Sequence, residues 1–229
     1  MCVWMFYKTL IFKPFLKITI MAYGSFRRIT KVVSTFGLKV EQADLFAVGF
    51  RAIEPSIWLQ KTLDKSRDVG FVNEKERSER VVYPILSEVA GENGNQITIY
   101  SGRDLDVDAS VGLNGECDFL MSLGQKPLVL IDTPIFSVVE AKKEDMQYGL
   151  AQCAAQMIGV QRYNKRQGKE ISAIYGVVTD ANHWMFLKLE DFTLQIHKRT
   201  FNIFEIDIIL GAFQCAFEDC RRAELSILH

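Results

Sequence analysis

The feature that most constrains the fold of this chain is an apolar run that ends in charges. The stretch IFSVVEAKKED spans positions 135–145, and four of its first five residues are apolar. A short apolar run of this kind predicts a strand buried in a sheet. Because side chains alternate along a strand, Glu140 and Lys142 share one face and Ala141 faces the other way. We therefore expect a carboxylate and an ammonium at the end of a core strand.

The segments around this strand predict helices and further strands. Helical spacing of apolar residues covers 73–90, 148–164 and 204–222, with Pro84 expected to kink the first of these helices. Strand patterns cover 96–102, 115–123, 171–180, 183–190 and 193–201, and 127–131 is a short strand or sheet edge. The chain should turn back in a hairpin at Ala181 and Asn182. This order predicts an α/β fold, a mixed sheet with helices on its faces.

The N-terminal part is predicted to be helical. Helices are expected over 26–36, 40–53 and 56–65, with Gly37 as a C-cap and Ser56 as an N-cap. Residues 1–20 are apolar, but three lysines and a proline interrupt them, so they predict no spanning helix. They are either an interfacial anchor or the product of a start codon placed before Met21. The expected division is an extension over 1–20, a helical segment over 21–68 and an α/β domain over 69–229.

Composition excludes several functional classes. The net charge is −1, so polyanion binding requires a local basic patch. The five cysteines form no CxxC pair, which argues against a zinc cluster or a disulfide framework and favours a cytoplasmic protein with reduced thiols. The sequence contains neither a GxxxxGK[ST] phosphate loop nor a GxSxG nucleophile motif.

A second carboxylate is predicted to join the strand-end charges. Asp118 lies inside the strand pattern of 115–123, so pairing of the two strands would bring it close to Glu140 and Lys142. Two carboxylates in a partly buried site are costly without a further cation. Hard carboxylate oxygens suit Mg²⁺ or Mn²⁺, so the residues predict a divalent metal site.

The pattern Asp118, then Glu140-Ala141-Lys142, resembles the D…ExK signature of the PD-(D/E)XK nuclease superfamily, although Cys117 stands where the proline of that name would precede the aspartate. The order of predicted elements around this pattern is also similar to that of the superfamily: a helix, a strand, the strand with Asp118, the strand with Glu140, a helix and a strand. The phrase YGVVTDANHWMFLKL is similar to a GVxTDGxxWxF hairpin of this superfamily, including the amino-terminal nuclease domains of type I restriction enzymes. The resemblance implies a restriction-endonuclease-like fold and Mg²⁺-dependent (or Mn²⁺-dependent) hydrolysis of phosphodiester bonds, with DNA as the expected substrate.

The resemblance also implies roles for individual residues. Asp118 and Glu140 would bind the metal, Lys142 would position water or stabilise charge, and either Gln152 or Gln156 would orient Lys142 or a phosphate. A helix glutamate often completes the metal shell, and the candidates here are Glu79, preferred, with Glu76 and Glu88 as competitors on the same helix.

Partners follow less directly from the sequence. Two basic clusters are expected to be solvated helix ends, one of Arg27, Arg28 and Lys31 and the other of Arg162, Lys165, Arg166 and Lys169. The alternative for the second cluster is phosphate binding, because it follows the helix of the expected site. A homodimer is expected if both strands of a duplex are cut. The alternative function is a non-enzymatic module that binds nucleic acid or protein and keeps the nuclease-like fold.

Overall fold

The computed structural model describes residues 21–47, 50–94, 96–124, 130–142 and 145–227. The helices are α1 (Ile29–Phe36), α2 (Ile57–Val69), α3 (Glu74–Arg77), α4 (Tyr83–Glu92), α5 (Met146–Arg166) and α6 (Ile206–Ile227), and a π-helical turn (Ser78–Val82) joins α3 to α4. The strands are β1 (Lys39–Ala43), β2 (Ile97–Asp104), β3 (Glu116–Leu123), β4 (Ile135–Ala141), β5 (Ile174–Thr179), β6 (His183–Glu190), β7 (Thr193–His197) and β8 (Phe201–Asn202).

All eight strands belong to one mixed sheet in the order β1-β7-β6-β5-β4-β3-β2, with β8 paired to β6. The pairs β4–β5 and β1–β7 are parallel, and the other pairs are antiparallel. Helices flank the sheet, so the predicted α/β class is confirmed. The predicted hairpin is also present, since β5 and β6 pair with Ala181 at a positive φ of 75° in the turn.

The unit β4–α5–β5 forms the centre of the molecule. Every residue of β4 is buried, as the apolar run predicts. Parallel strands require a crossover connection, and α5 supplies it. Gly176 of β5 allows the helix to lie close to the sheet, because a Cβ there would be 2.9 Å from the Cys153 sulfur on α5. The close packing of α5 fixes its side chains above the end of β4.

The N-terminal part agrees with the prediction except for one element. Helix α1 ends at Gly37, which has a left-handed φ of 68°, and the Ser56 side chain caps α2 by accepting the Leu59 N–H. The helix predicted over 40–53 is wrong, because Lys39–Ala43 forms β1 in parallel with β7. Tertiary pairing at the sheet edge overrides the local helical pattern.

The helix predicted over 73–90 is present but interrupted by the π-helical turn. Pro84 has no N–H to donate to the Arg80 carbonyl, and the Ser66 hydroxyl donates to that carbonyl instead (2.8 Å). Residues 1–20 and the first three residues of the predicted 127–131 strand lie outside the described residues, whereas Leu130 and Ile131 are not in a strand. In the described part of the chain, no helix is long and apolar enough to cross a bilayer.

Candidate active site

The structure brings Asp118, Glu140 and Lys142 together where β3 begins and the antiparallel β4 ends. The antiparallel register pairs Phe119 with Val139, so one step further along the strands Asp118 lies opposite Glu140 on the same sheet face. Helix α5 covers this face, since Gln156 reaches Glu140 from above. The two strands therefore present their carboxylates side by side beneath the first turns of α5.

Each carboxylate is held by a specific contact. The Lys142 Nζ lies 2.6 Å from Glu140 Oε1, and the Gln156 side-chain amide donates to Glu140 Oε2 (2.7 Å). The Ala141 backbone N–H donates to Asp118 Oδ2 (2.8 Å). The Lys142 N–H donates to the Thr179 carbonyl (2.7 Å), which ties the end of β4 to β5. These contacts fix both carboxylates before any ligand binds.

Burial makes the two negative charges costly. Glu140 is fully buried, and burial followed by repulsion from Asp118 raises its pKa to about 8, against the pull of Lys142. Burial also raises the pKa of the half-buried Asp118 to about 6, although its bond from Ala141 and the charge of Lys142 oppose the rise. Ionising both carboxylates is therefore costly in this site, and the charge of Lys142 offsets that cost only in part.

Lys142 occupies a confined position beside the carboxylates. Its side chain is 11% exposed and also lies 3.7 Å from the carboxylate of Glu74. Burial acts to lower the pKa of this ammonium, but Glu140, Asp118 and Glu74 outweigh it and raise the pKa. Gly149 makes room for the lysine, because a Cβ there would lie 2.9 Å from Lys142 Cγ. Lys142 is therefore held in its charged form by both electrostatics and packing.

The two candidate glutamines differ in their contacts. Gln156 contacts Glu140 directly, as described above. Gln152, one turn earlier on α5, has a buried Oε1 without a hydrogen-bond partner among the described residues, and the Gln156 Oε1 is in the same state. Buried amide oxygens normally have a partner. Of the two glutamines, Gln156 is the one that the structure places on the site carboxylate.

The predicted helix glutamate is not at the site. The Glu79 side chain is 61% exposed and lies 3.8 Å from Lys75 on its own helix. Glu74, at the first position of α3, is the glutamate that reaches Lys142. Five residues separate the two glutamates, about one and a half helical turns, so they point in different directions. The predicted placement of Glu79 beside Asp118 and Glu140 is corrected accordingly.

The basic cluster at the end of α5 is also remote from the site. Tyr148 and Arg166 lie 18 residues apart on the helix, or about 27 Å at 1.5 Å per residue. The guanidinium of Arg166 donates to the Val107 carbonyl (2.5 Å), Arg162 lies 3.5 Å from Asp108, and Lys165 lies 3.3 Å from Glu170. These cations serve local contacts at the opposite end of α5. This placement agrees with the expected solvated helix end, and phosphate binding by the cluster stays a prediction.

Sequence reasoning missed three residues near Lys142. These are Glu74, Tyr148 and Arg27. The Lys142 ammonium and the Arg27 guanidinium lie 5.4 Å and 5.5 Å from the centroid of the same Tyr148 ring. No local signal identifies these neighbours, because they come from three segments that only the tertiary fold joins.

The donor set suits a small divalent cation. In the described ranges, no three His, Cys, Asp or Glu side chains gather into a ready-made metal cluster. Mg²⁺, however, commonly binds through one or two carboxylates and completes its shell with water and substrate phosphate oxygens. The half-buried Asp118 and the buried Glu140 are two oxygen donors of this kind, and their raised pKa values, caused first by burial, show that ionising both is costly without a further cation. These residues therefore fit the metal that the resemblance implies.

No protein-family model matches the sequence, and no curated protein matches it.

Proposed function

We propose that this protein is a Mg²⁺-dependent (or Mn²⁺-dependent) nuclease of the PD-(D/E)XK type that hydrolyses phosphodiester bonds, with DNA as its substrate. The single observation that carries the proposal is the pair of carboxylates at the ends of β3 and β4, next to a lysine. Glu140 is fully buried with a pKa of about 8, and Lys142 lies 2.6 Å away. Strongly perturbed titratable groups of this kind cluster at functional sites.

Asp118 and Glu140 would hold the metal. When bound, the cation would polarise the phosphoryl oxygens and acidify a water molecule. Both carboxylates are held in place before the metal binds, since the backbone N–H of Ala141 donates to Asp118 and the Gln156 amide donates to Glu140. A site with this preorganisation does not have to reorder its ligands when the substrate arrives.

Lys142 would stay protonated and donate hydrogen bonds at the reacting phosphate. Its ammonium has three donors, of which the Glu140 contact engages one. The others can donate to the attacking water or to a phosphate oxygen on which negative charge develops. Glu74, 3.7 Å from the ammonium, would help to keep it charged and in place.

Reduced, buried thiols such as Cys117 and Cys153 are in keeping with a cytoplasmic enzyme. Cleavage of both strands of a duplex would require two such sites, so we propose a homodimer on DNA.

Calorimetric titration tests the metal site directly. Mn²⁺ or Mg²⁺ is titrated into the parent protein and into a double variant with Asp118→Asn and Glu140→Gln. Saturable binding in the parent and none in the double variant is expected. Glu79→Gln is the matched control, because it removes an exposed carboxylate outside the site, and its binding should equal that of the parent. Equal heats in parent and double variant, together with metal-independent binding of nucleic acid, would point to the binding module instead.

A further inference from the structure

We propose that Arg27 binds a backbone phosphate of the substrate next to the phosphate at the Asp118–Glu140 site. This inference rests on the proposed nuclease function and deepens it, because it assigns substrate binding to the N-terminal segment of residues 21–28. That segment precedes the part of the chain that carries the nuclease signature.

The N-terminal segment is firmly attached to the domain. Tyr23 is buried and donates its hydroxyl hydrogen to the Leu105 carbonyl (2.9 Å), and Phe26 is fully buried. Arg27 follows Phe26 directly and is exposed. The chain therefore holds the Arg27 backbone in place while leaving its guanidinium in contact with solvent.

Tyr148 joins this segment to the site. It lies in the first turn of α5, where its N–H donates to the Asp145 side chain (2.8 Å), and its hydroxyl donates to the Gly24 carbonyl (2.8 Å). Both cations, Arg27 and Lys142, lie over its ring. An aromatic face attracts cations and limits the positions they adopt. The ring therefore holds the exposed guanidinium of Arg27 in a defined place near Lys142.

The spacing of the two cations suits a nucleic-acid backbone. Each lies within about 5.5 Å of the same ring centroid, so at most about 11 Å separate them. A duplex strand advances roughly 3.4 Å along the axis per nucleotide, so this span corresponds to about one to three nucleotides. With one phosphate at Lys142, a neighbouring phosphate of the same strand would lie within this upper limit of the distance to Arg27.

Charge balance supports the same assignment. The chain has a net charge of −1, so it has no general positive field that would attract DNA. The proposed function assigns Lys142 to the reacting phosphate, and the basic cluster of α5 lies at the other end of that helix, so a neighbouring phosphate needs a further cation. A planar guanidinium is well suited to bind phosphate in a bidentate manner. Arg27 supplies this group beside the same Tyr148 ring that Lys142 contacts.

The test compares Arg27→Ala with Arg28→Ala, a matched control in which the adjacent exposed arginine is removed. Binding of a fluorescein-labelled short DNA duplex is followed by anisotropy across a salt series, with Ca²⁺ in place of Mg²⁺ to prevent turnover. Steady-state kcat and KM are measured in Mg²⁺. For Arg27→Ala we expect binding weaker by about tenfold, a salt slope lower by about 1, and a rise in KM larger than the fall in kcat. Arg28→Ala should behave almost as the parent does.

Two further outcomes separate the inference from the proposed function. If the parent cleaves DNA and Arg27→Ala weakens binding no more than Arg28→Ala, the Arg27 assignment is overturned and the nuclease stands. If the parent neither binds nor cleaves DNA, both fail. Arg27→Lys keeps the charge and should retain the salt slope of the parent. A salt slope for Arg27→Ala equal to that of the parent would show that the guanidinium contacts no phosphate, and would overturn the assignment.

Discussion

Replacing Glu140 by Gln should remove a pH-dependent loss of stability from the metal-free protein. The pKa of Glu140 is raised from 4.5 to about 8 in the fold, first by burial and then by Asp118. The folded protein therefore holds this proton more tightly than the unfolded chain does. The stabilisation from protonation is complete below about pH 4.5 and is lost as the pH rises through about 8.

The magnitude follows from the same shift. At about 1.4 kcal/mol per pKa unit, a rise from 4.5 to about 8 corresponds to at most about 5 kcal/mol of stability lost by pH 8. A loss of a few kcal/mol is expected, because Lys142 and Asp118 titrate as one system with Glu140. Glutamine is nearly isosteric and carries no charge, so this variant should lose the pH dependence and exceed the stability of the parent at pH 8.

Urea unfolding in EDTA at several pH values between 5 and 8 measures this effect. Glu79→Gln is the control, since it removes an exposed carboxylate from a solvated pair with Lys75. Its free energy of unfolding should follow that of the parent at every pH. If the free energies of unfolding of the parent and Glu140→Gln changed with pH in parallel, the reasoning would be refuted, because ionisation of Glu140 would then have no effect on stability between pH 5 and 8.

Two other substitutions test the packing around the site. Gly149→Ala would place a Cβ 2.7 Å from Val178 and 2.9 Å from Lys142, so its free energy of unfolding in urea should fall by about 1–3 kcal/mol. The control is Gly91→Ala, which has open space around it and should gain about 0.5–1 kcal/mol of stability. Equal changes in the two variants would exclude the predicted clash. Asn164→Ala should cost about 2–4 kcal/mol by the same assay, because the buried amide donates to the Ile135 carbonyl (2.7 Å) and accepts its N–H (2.9 Å), and a neutral result would contradict this role.

The strand-end arrangement of Asp118 and Glu140 could be predicted because it depends on local patterns. The alternation of side chains in β4 determines which residues share a face, and the order of strands brings Asp118 next to Glu140. By contrast, β1 could not be predicted, since its partner residues in β7 lie 154 positions later in the chain. Its pairing at the sheet edge decides the structure of a segment whose own pattern indicates a helix.

The choice between Glu79 and Glu74 could not be made from sequence for a related reason. Both residues lie in one helical pattern, and either could face the sheet until the direction of the helix is known. The π-helical turn further changes the direction in which Glu79 points relative to Glu74, and no residue pattern in the sequence predicts this turn. The position of Arg27 and Lys142 over the same Tyr148 ring could not be predicted either, because Arg27 lies 115 residues before Lys142 in the sequence.

The most direct test of the central claim is a cleavage assay. Labelled DNA and RNA, each as duplex and as single strand, are incubated with Mg²⁺ or Mn²⁺ and with the parent, Lys142→Met, Glu140→Gln or Glu79→Gln. We predict metal-dependent cleavage of DNA by the parent and by Glu79→Gln, and a loss of about 100-fold or more in Lys142→Met and Glu140→Gln, as is usual when a group that stabilises transition-state charge is removed. No cleavage by the parent, or undiminished cleavage by Lys142→Met and Glu140→Gln, would contradict the claim that these strand-end charges form the active site.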